Sequence, residues 1–429
     1  MKKTLFSMGA VSLILTAAIL LGGCGNAAAV QSTGDANIPT NETVTAAPAE
    51  ATAATATLTA AASELFTTRD LAQTADLSEA QTITVSDGET VTITEAGVYV
   101  LSGSAGNACV VVDAGDDDKV QLVLNGLSIN NAHQPCILVE NADKVFLTSA
   151  EGSENALTVS GKFTGDFDAA VYARDDLVLN GLGTVTVSST GDGIRTNDDL
   201  KLTGGTWTVN ASDTALKAHD SIVASDGVYT LTAGSDGLHA EDSDDDATGD
   251  ITIEGGSFTI QAGDDGVHAT TTVTVNGGAL DITAAEGIEA TQVVINAGTV
   301  SIQATDDGIN AGRKSTALSV KIEINGGEIT IVMGAGDTDG IDSNGDLIIT
   351  GGTVNVSGQS PFDYDGKCTH TGGTIIVNGT ETDSITNQFG GGMGGGMGGL
   401  PGGRMGGQMG EAQSQPGGGM PGGVGGKRM

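Results

Sequence analysis

The chain has 429 residues, with 54 Asp and Glu against 17 Lys and Arg and a formal net charge of −37. That balance excludes nucleic acid as a partner, because polyphosphate binding needs clustered cations; it suits solubility, cation binding or both. Aromatic residues are only 3% while Gly numbers 67, which argues against an ordinary aromatic-rich core and for strands joined by tight turns.

In chain order, "MKKTLFSMGAVSLILTAAILLGGCG" comes first. Lys2 and Lys3 precede an apolar run that ends in Leu21-Gly22-Gly23-Cys24, the layout of a secretory signal. The small residues ahead of Cys24 resemble a bacterial lipobox. The resemblance implies a lipoprotein signal peptide over 1–23, cleavage before Cys24 and lipidation of its thiol. The alternative is an ordinary signal with an incidental Cys. The expected location is extracytoplasmic, on the bacterial cell membrane, with the lipid as the chain's one membrane contact. Residues 24–77 are Ala- and Thr-rich without apolar periodicity and read as a tether. The Gly/Met-rich stretch 390–429 reads as a disordered tail; Cu(I) binding by its thioethers is the less favoured reading.

Between them, over 78–389, an acid-Gly-aliphatic motif recurs, as in "TGDGIRT", "GSDGLHA", "AGDDGVHA", "AEGIEA", "TDDGINA" and "DTDGIDS". The aliphatic slot falls at Val171, Ile194, Leu216, Leu238, Val267, Ile288, Ile309, Ile341 and Phe362. Its spacing is 21–23 residues, with two longer intervals of 29 and 32. Such a period marks stacked supersecondary units. Each unit carries three short segments of period-two alternation, which are strands. The expected fold is all-β: a single-stranded, right-handed parallel β-helix with three short strands per 21–23-residue coil. Coils should stack about 4.8 Å apart. In the third strand, the column Trp207, Tyr229, Phe258, Leu280, Val300, Ile329, Val354, Ile375 is wholly apolar. So is the column beginning Val209, Leu231, Ile260. Both should face the core, Trp207 included. The stretch 82–132 fits one or two irregular first coils, and residues 78–105 are the expected cap of the open end. Cys109 and Cys136 occupy matching slots, either bonded or as two free thiols.

The Gly of the motif is expected to supply a backbone bend. The acid before it forms a column: Asp192, Asp236, Asp265, Glu286, Asp307 and Asp339, interrupted by Thr214. Asp264, Asp306 and Asp337 add carboxylates beside it. Carboxylates stacked at this spacing repel one another, so backbone N–H groups and calcium are the expected compensation; solvated acidic turns are the alternative. The outward slot after the aliphatic residue forms a second column: Tyr172, Arg195, Lys217, His239, His268, Glu289, Asn310, Asp342. Of these, Tyr172, Arg195, Lys217, His239 and His268 are candidate carbohydrate contacts, with Arg195 and Lys217 suited to anions. An ordinary solvent face is the alternative.

The phrases "VTITEAGVYVLSG", "VVVDAGDDDKVQLVLNGLSI", "ENADKVFLTSAEGSENALT", "DLVLNGLGTVTV" and the repeated coils resemble the clostridial-type carbohydrate-binding β-helix lipoproteins over roughly 78–380. The resemblance implies a cell-surface protein binding calcium and plant-wall polysaccharide, cellulose or acidic pectin, with the acid-Gly turns as calcium positions. The implied function is non-catalytic. A calcium-dependent pectate lyase, with Lys217 or Arg195 as base, and a structural adhesin or spacer are the alternatives.

Overall fold

A computed structural model describes residues 65–335 and 338–387. Cys24, Asp337 and the 390–429 tail lie outside the described residues. Among the described residues there are thirty-six strands, and every pairing is parallel except the last. One sheet has twelve strands, the first strand of each coil; the other twenty-four form a second sheet that covers both remaining positions. The second sheet is continuous because Gly97–Gly106 and Lys119–Asn131 run through the corner unbroken, with a register shift between Leu101 and Gly103.

One coil shows the unit. Its strands are Asp192–Thr196, Leu200–Leu202 and Thr206–Ala211. In the next coil Leu216 pairs with Ile194, Ile222 with Leu200 and Tyr229 with Trp207. The expected columns therefore exist as ladders. The aliphatic slot runs in register from Val171 to Phe362. Both apolar columns of the third strand face inward; Trp207 is fully buried, and its indole Nε1 donates to Gly204 O at 3.0 Å. Tyr229 and Phe258 stack at 4.8 Å between centroids. Isoleucine, valine and leucine fill most of the rest, which suits pleated strands buried on one face.

The glycine of the motif does something other than expected. None of Gly193, Gly237, Gly266, Gly287, Gly308 and Gly340 has a φ in the left-handed region; each is a close approach instead. A Cβ on Gly266 would lie 2.3 Å from Ile282 Cγ2 and 2.6 Å from the carbonyl of Gly287. The same pair of obstacles, the third-strand aliphatic of the coil and the carbonyl of the following coil, recurs at the other five. The bend is supplied elsewhere, by glycines ahead of the third strand such as Gly256 (φ 94°) and Gly278 (φ 77°).

Two boundaries also differ from expectation. Residues 81–106 are not a separate cap: Gln81–Thr84 pairs with Gly97–Gly106, and Thr90–Ile93 with Cys109–Asp113, so they extend the stack. Residues 65–73, placed in the tether, dock on the second-strand side. Thr203 Oγ1 donates to Asp70 O (2.5 Å), Gln73 Nε2 to Thr203 O (2.7 Å), and Gly181 N to Gln73 Oε1 (3.0 Å). Asp70 is fully buried, within 3.7 Å of Lys144 and 3.6 Å of Lys201. Cys109 and Cys136 are free thiols. Cys136 faces the main core while Cys109 joins a small outer cluster with Leu138, Ala169 and Tyr172, so matching slots do not bring the sulfurs together. At the far end the chain reverses at Asn378-Gly379, both with positive φ, and Thr380–Thr382 pairs antiparallel with Thr374–Val377.

Gly266→Ala tests the close-approach role. Overpacking of this kind costs about 1–3 kcal/mol, so the urea midpoint should fall with the slope unchanged. An unchanged midpoint would mean that the coil has room for a methyl group.

Candidate functional site

The two polar columns of the first-strand face, read separately in the sequence, interlock in space. Within a strand the acid lies three residues ahead of the outward residue, and the two side chains meet. Asp236 Oδ2 is 2.7 Å from His239 Nδ1, and Asp265 Oδ2 is 2.6 Å from His268 Nδ1. Asp192 is 3.8 Å from Arg195 Nη1. The acid also reaches the following coil. Asp192 Oδ1 accepts from Thr214 N (3.0 Å), Asp236 Oδ1 from Asp265 N (3.0 Å), and Asp307 Oδ1 from Asp339 N (3.1 Å). Backbone donors therefore offset part of the repulsion along the column.

The predicted carbohydrate residues differ in availability. Tyr172 is buried: Phe167 meets its ring edge-on at 5.0 Å, the Arg195 guanidinium lies 5.5 Å above it, and its hydroxyl donates to Asn197 Oδ1. Arg195 is held by Asp168 at 2.8 Å. Lys217 is half-buried, next in register to Arg195 and His239. His239 and His268 stack face to face, 4.6 Å between centroids and 7° from parallel. Of the predicted metal residues, Asp192, Asp236 and Asp265 are buried, Glu286, Asp307 and Asp339 half-buried, and Asp264 and Asp306 exposed.

Two residues outside the expected site complete its centre. Glu289 Oε2 is 3.0 Å from His268 Nδ1, and Lys314 Nζ is 2.6 Å from Glu289 Oε1. Lys314 sits in the segment 312–320, the insertion of the longest coil. The other insertion, 241–249, leaves the same corner three coils earlier, and the two touch: Asp246 Oδ2 accepts from Thr316 N (2.8 Å) and Thr316 Oγ1 (2.7 Å). Together they flank an open groove of about 410 Å³, lined by acids, both histidines and Lys314. The signal for Lys314 was the interval of 32 residues; only topology could say which side chain it meets.

The charge state of the groove follows. Burial alone would lower His268, but its bonds to Asp265 and Glu289 push it up to about 10, so it is an imidazolium at neutral pH. Burial would raise Glu289, yet the bonds from His268 and Lys314 hold it down at about 2. Toward the C-terminal end the cations stop. Burial, then the charges of Asp307, Asp363 and Asp339, push Asp342 up to about 7; burial pushes Asp307 up to about 6. Asn310 Oδ1 and Asp363 Oδ1 are buried atoms without a hydrogen-bond partner. One end of the face thus carries Arg195 and Lys217, the acids of the middle are partly offset by His268 and Lys314, and the far end is acidic.

The chain belongs to the carbohydrate-binding domain-containing protein family. The family model matches residues 87–338, more than half of the chain. A carbohydrate-binding domain-containing protein of Acetivibrio thermocellus is 36% identical over 119 residues, 26% of this chain and 42% of the relative. This chain thus spans less than half the length of that relative. A solved structure of a polysaccharide lyase-like protein from C. thermocellum, a gadolinium derivative, is 30% identical with a TM-score of 0.46, over 49% of this chain and 92% of that one.

Asp342 gives a pH test. A carboxyl raised in the folded state binds its proton more tightly there, so stability falls as pH rises from about 4 through about 7. Asp342→Asn should therefore leave the melting temperature at pH 4 nearly unchanged and raise it at pH 8 in chelator-treated protein. Equal melting shifts at both pH values would show that Asp342 ionises freely.

Proposed function

We propose that this protein is a non-catalytic polysaccharide-binding protein, anchored at the cell surface through lipid on Cys24, which holds an extended glycan along its first-strand face with calcium. The observation that carries the reading is the register of that face: successive coils place Arg195, Lys217, His239, His268, Glu289, Asn310 and Asp342 in one line, about 4.8 Å per step. A line of polar side chains at a fixed interval matches a repeating polymer better than a small ligand. The family name and that of the Acetivibrio relative point the same way. With the right hand usual for parallel crossovers, we take the fold to be a right-handed, single-stranded parallel β-helix. The buried Tyr172 and His239 order the strip, and contact with sugar falls to Arg195, Lys217 and the groove at His268.

Calcium fits some of the predicted acids better than others. Asp236 is engaged by His239 and by the backbone N–H of Asp265, and Asp265 by His268. Calcium takes six to eight oxygen ligands; Asp342 feels the charges of Asp307, Asp339 and Asp363, and Asn310, its neighbour in the ladder, has a buried Oδ1 without a hydrogen-bond partner. Those residues would hold the ion, which would supply positive charge for glycan carboxylates or hydroxyls. The placement also favours binding over lyase chemistry. Lys217 stands four to six coils from those residues, roughly 20–30 Å at the β-helix repeat, too far for base and metal to act on one sugar. Arg195 is engaged by Asp168.

Calorimetric titration of the chelator-stripped protein with calcium and then polygalacturonate tests the reading. Calcium heat, polymer binding and flat ultraviolet absorbance are expected, with Arg195→Ala/Lys217→Ala weakening polyuronate binding about tenfold, the scale of two lost charge-assisted contacts of about 0.7 kcal/mol each. Unsaturated product would make the protein a lyase; absence of polymer binding would leave the spacer reading.

A further inference from the structure

The centre of the groove carries a different donor set from the acidic end. Asp265, His268 and Glu289 each offer one ligand atom, and these atoms lie within 4.8 Å of one another. They come from consecutive first strands, where Asp265 pairs with Glu286 and His268 with Glu289, so the ladder fixes their relative positions. His268 Nδ1 is 2.6 Å from Asp265 Oδ2 and 3.0 Å from Glu289 Oε2. Ligands bound at about 2.0–2.2 Å to one small divalent ion stand roughly 3 Å apart, so these separations are already close to the edges of a coordination polyhedron. Outer contacts orient the set: Lys314 holds the second oxygen of Glu289, and Asn310 Nδ2 donates to the same Oε1 at 3.5 Å. The groove leaves space for water ligands.

We propose that Asp265, His268 and Glu289 form a binding site for a borderline divalent transition-metal ion of the Zn2+ class, distinct from any calcium site. The chemistry of the donors selects the metal: one imidazole with two carboxylates suits zinc-like ions, whereas calcium prefers oxygen alone. The exchange balances. The metal ion takes the Nδ1 lone pair, and the proton that bridges His268 to the two carboxylates leaves to buffer. The three side chains, together at −1 with the proton, are neutral with the metal. His239, stacked on the His268 ring, shields one side. The trio Asp176, Asp198 and Asp199 has no such mixture; it is carboxylate only, and Lys144 lies 3.0 Å from Asp176.

The test is calorimetry of the chelator-stripped full chain with ZnCl2 in two buffers of different ionisation enthalpy. One ion per chain with about one proton released is expected, and a hundredfold excess of CaCl2 should leave the isotherm in place. His268→Gln and Glu289→Gln should each weaken binding at least tenfold, while Cys368→Ser leaves it unchanged. Metal-free melting of each variant checks folding, and Glu289→Gln, which keeps the shape of the side chain, decides the matter if His268→Gln melts early. Absent zinc heat, displacement by calcium, or full affinity in a folded Glu289→Gln would each overturn the proposal, as would loss of binding in Cys368→Ser alone.

Discussion

Everything in this molecule depends on parallel in-register pairing, which sets each residue of a coil beside its equivalent in the next. The hydrogen-bond ladder imposes a spacing of about 4.8 Å on whatever side chains occupy a slot. For the interior this is favourable: Leu216 beside Leu238 or Ile282 beside Ile302 packs like against like and forms a continuous core. For an acidic slot the same rule is a liability, because it sets carboxylates side by side at a distance where their repulsion is not screened away. The first-strand face is the set of local answers to that problem. Where a backbone N–H of the next coil is in reach it is used, as at Asp192, Asp236 and Asp307. Where a histidine follows three residues later it becomes the counter-charge, as at Asp265. In the neighbouring outward slot, at Asp342, burial and the nearby acids push the carboxyl up to about 7.

The glycine of the repeat belongs to the same constraint. Its missing side chain lets the first strand sit against the third-strand aliphatic of its coil and under the carbonyl of the next. The acid, the glycine and the aliphatic residue are therefore three consequences of one geometry: a polar side chain capping the next coil, a backbone pressed against the core, and a side chain filling it. The coil with Thr214-Ala215 keeps the pattern in weakened form, since Ala215 carries only a methyl group and is fully buried.

What the sequence made legible was whatever repeats. The aliphatic, aromatic and outward columns were readable because a slot in a solenoid is a position modulo the period, and the ladder pairs confirm them from Val171 to Phe362. What stayed hidden depends on contacts without a period. Lys314 reaches Glu289 from an insertion, and Asp246 meets Thr316 across seventy residues. Residues 65–73 look like tether because docking here rests on a few hydrogen bonds and the buried Asp70 rather than on apolar alternation. Cys109 and Cys136 share a slot yet face opposite sides, because Cys109 opens its strand while Cys136 lies in the bend ahead of Ile137–Asn141. The acid and outward columns were both seen, but that they touch is a matter of three-residue reach along a strand, which periodicity does not report.

The uneven distribution of cations along the face is what the proposed binding role draws on. If the acid column served the fold alone, each coil would need the same compensation, and a uniform row of one counter-residue would be the simplest answer. Instead the compensating group changes from coil to coil: guanidinium at Arg195, imidazolium at His268, a distant ammonium at Lys314, then none at Asp342. The result is a strip with direction, cationic toward the N-terminal coils and anionic toward the C-terminal ones. A polymer laid along it meets a different charge at each step, so both its orientation and its register on the protein carry an energy. That is the property a binding face needs and a spacer does not.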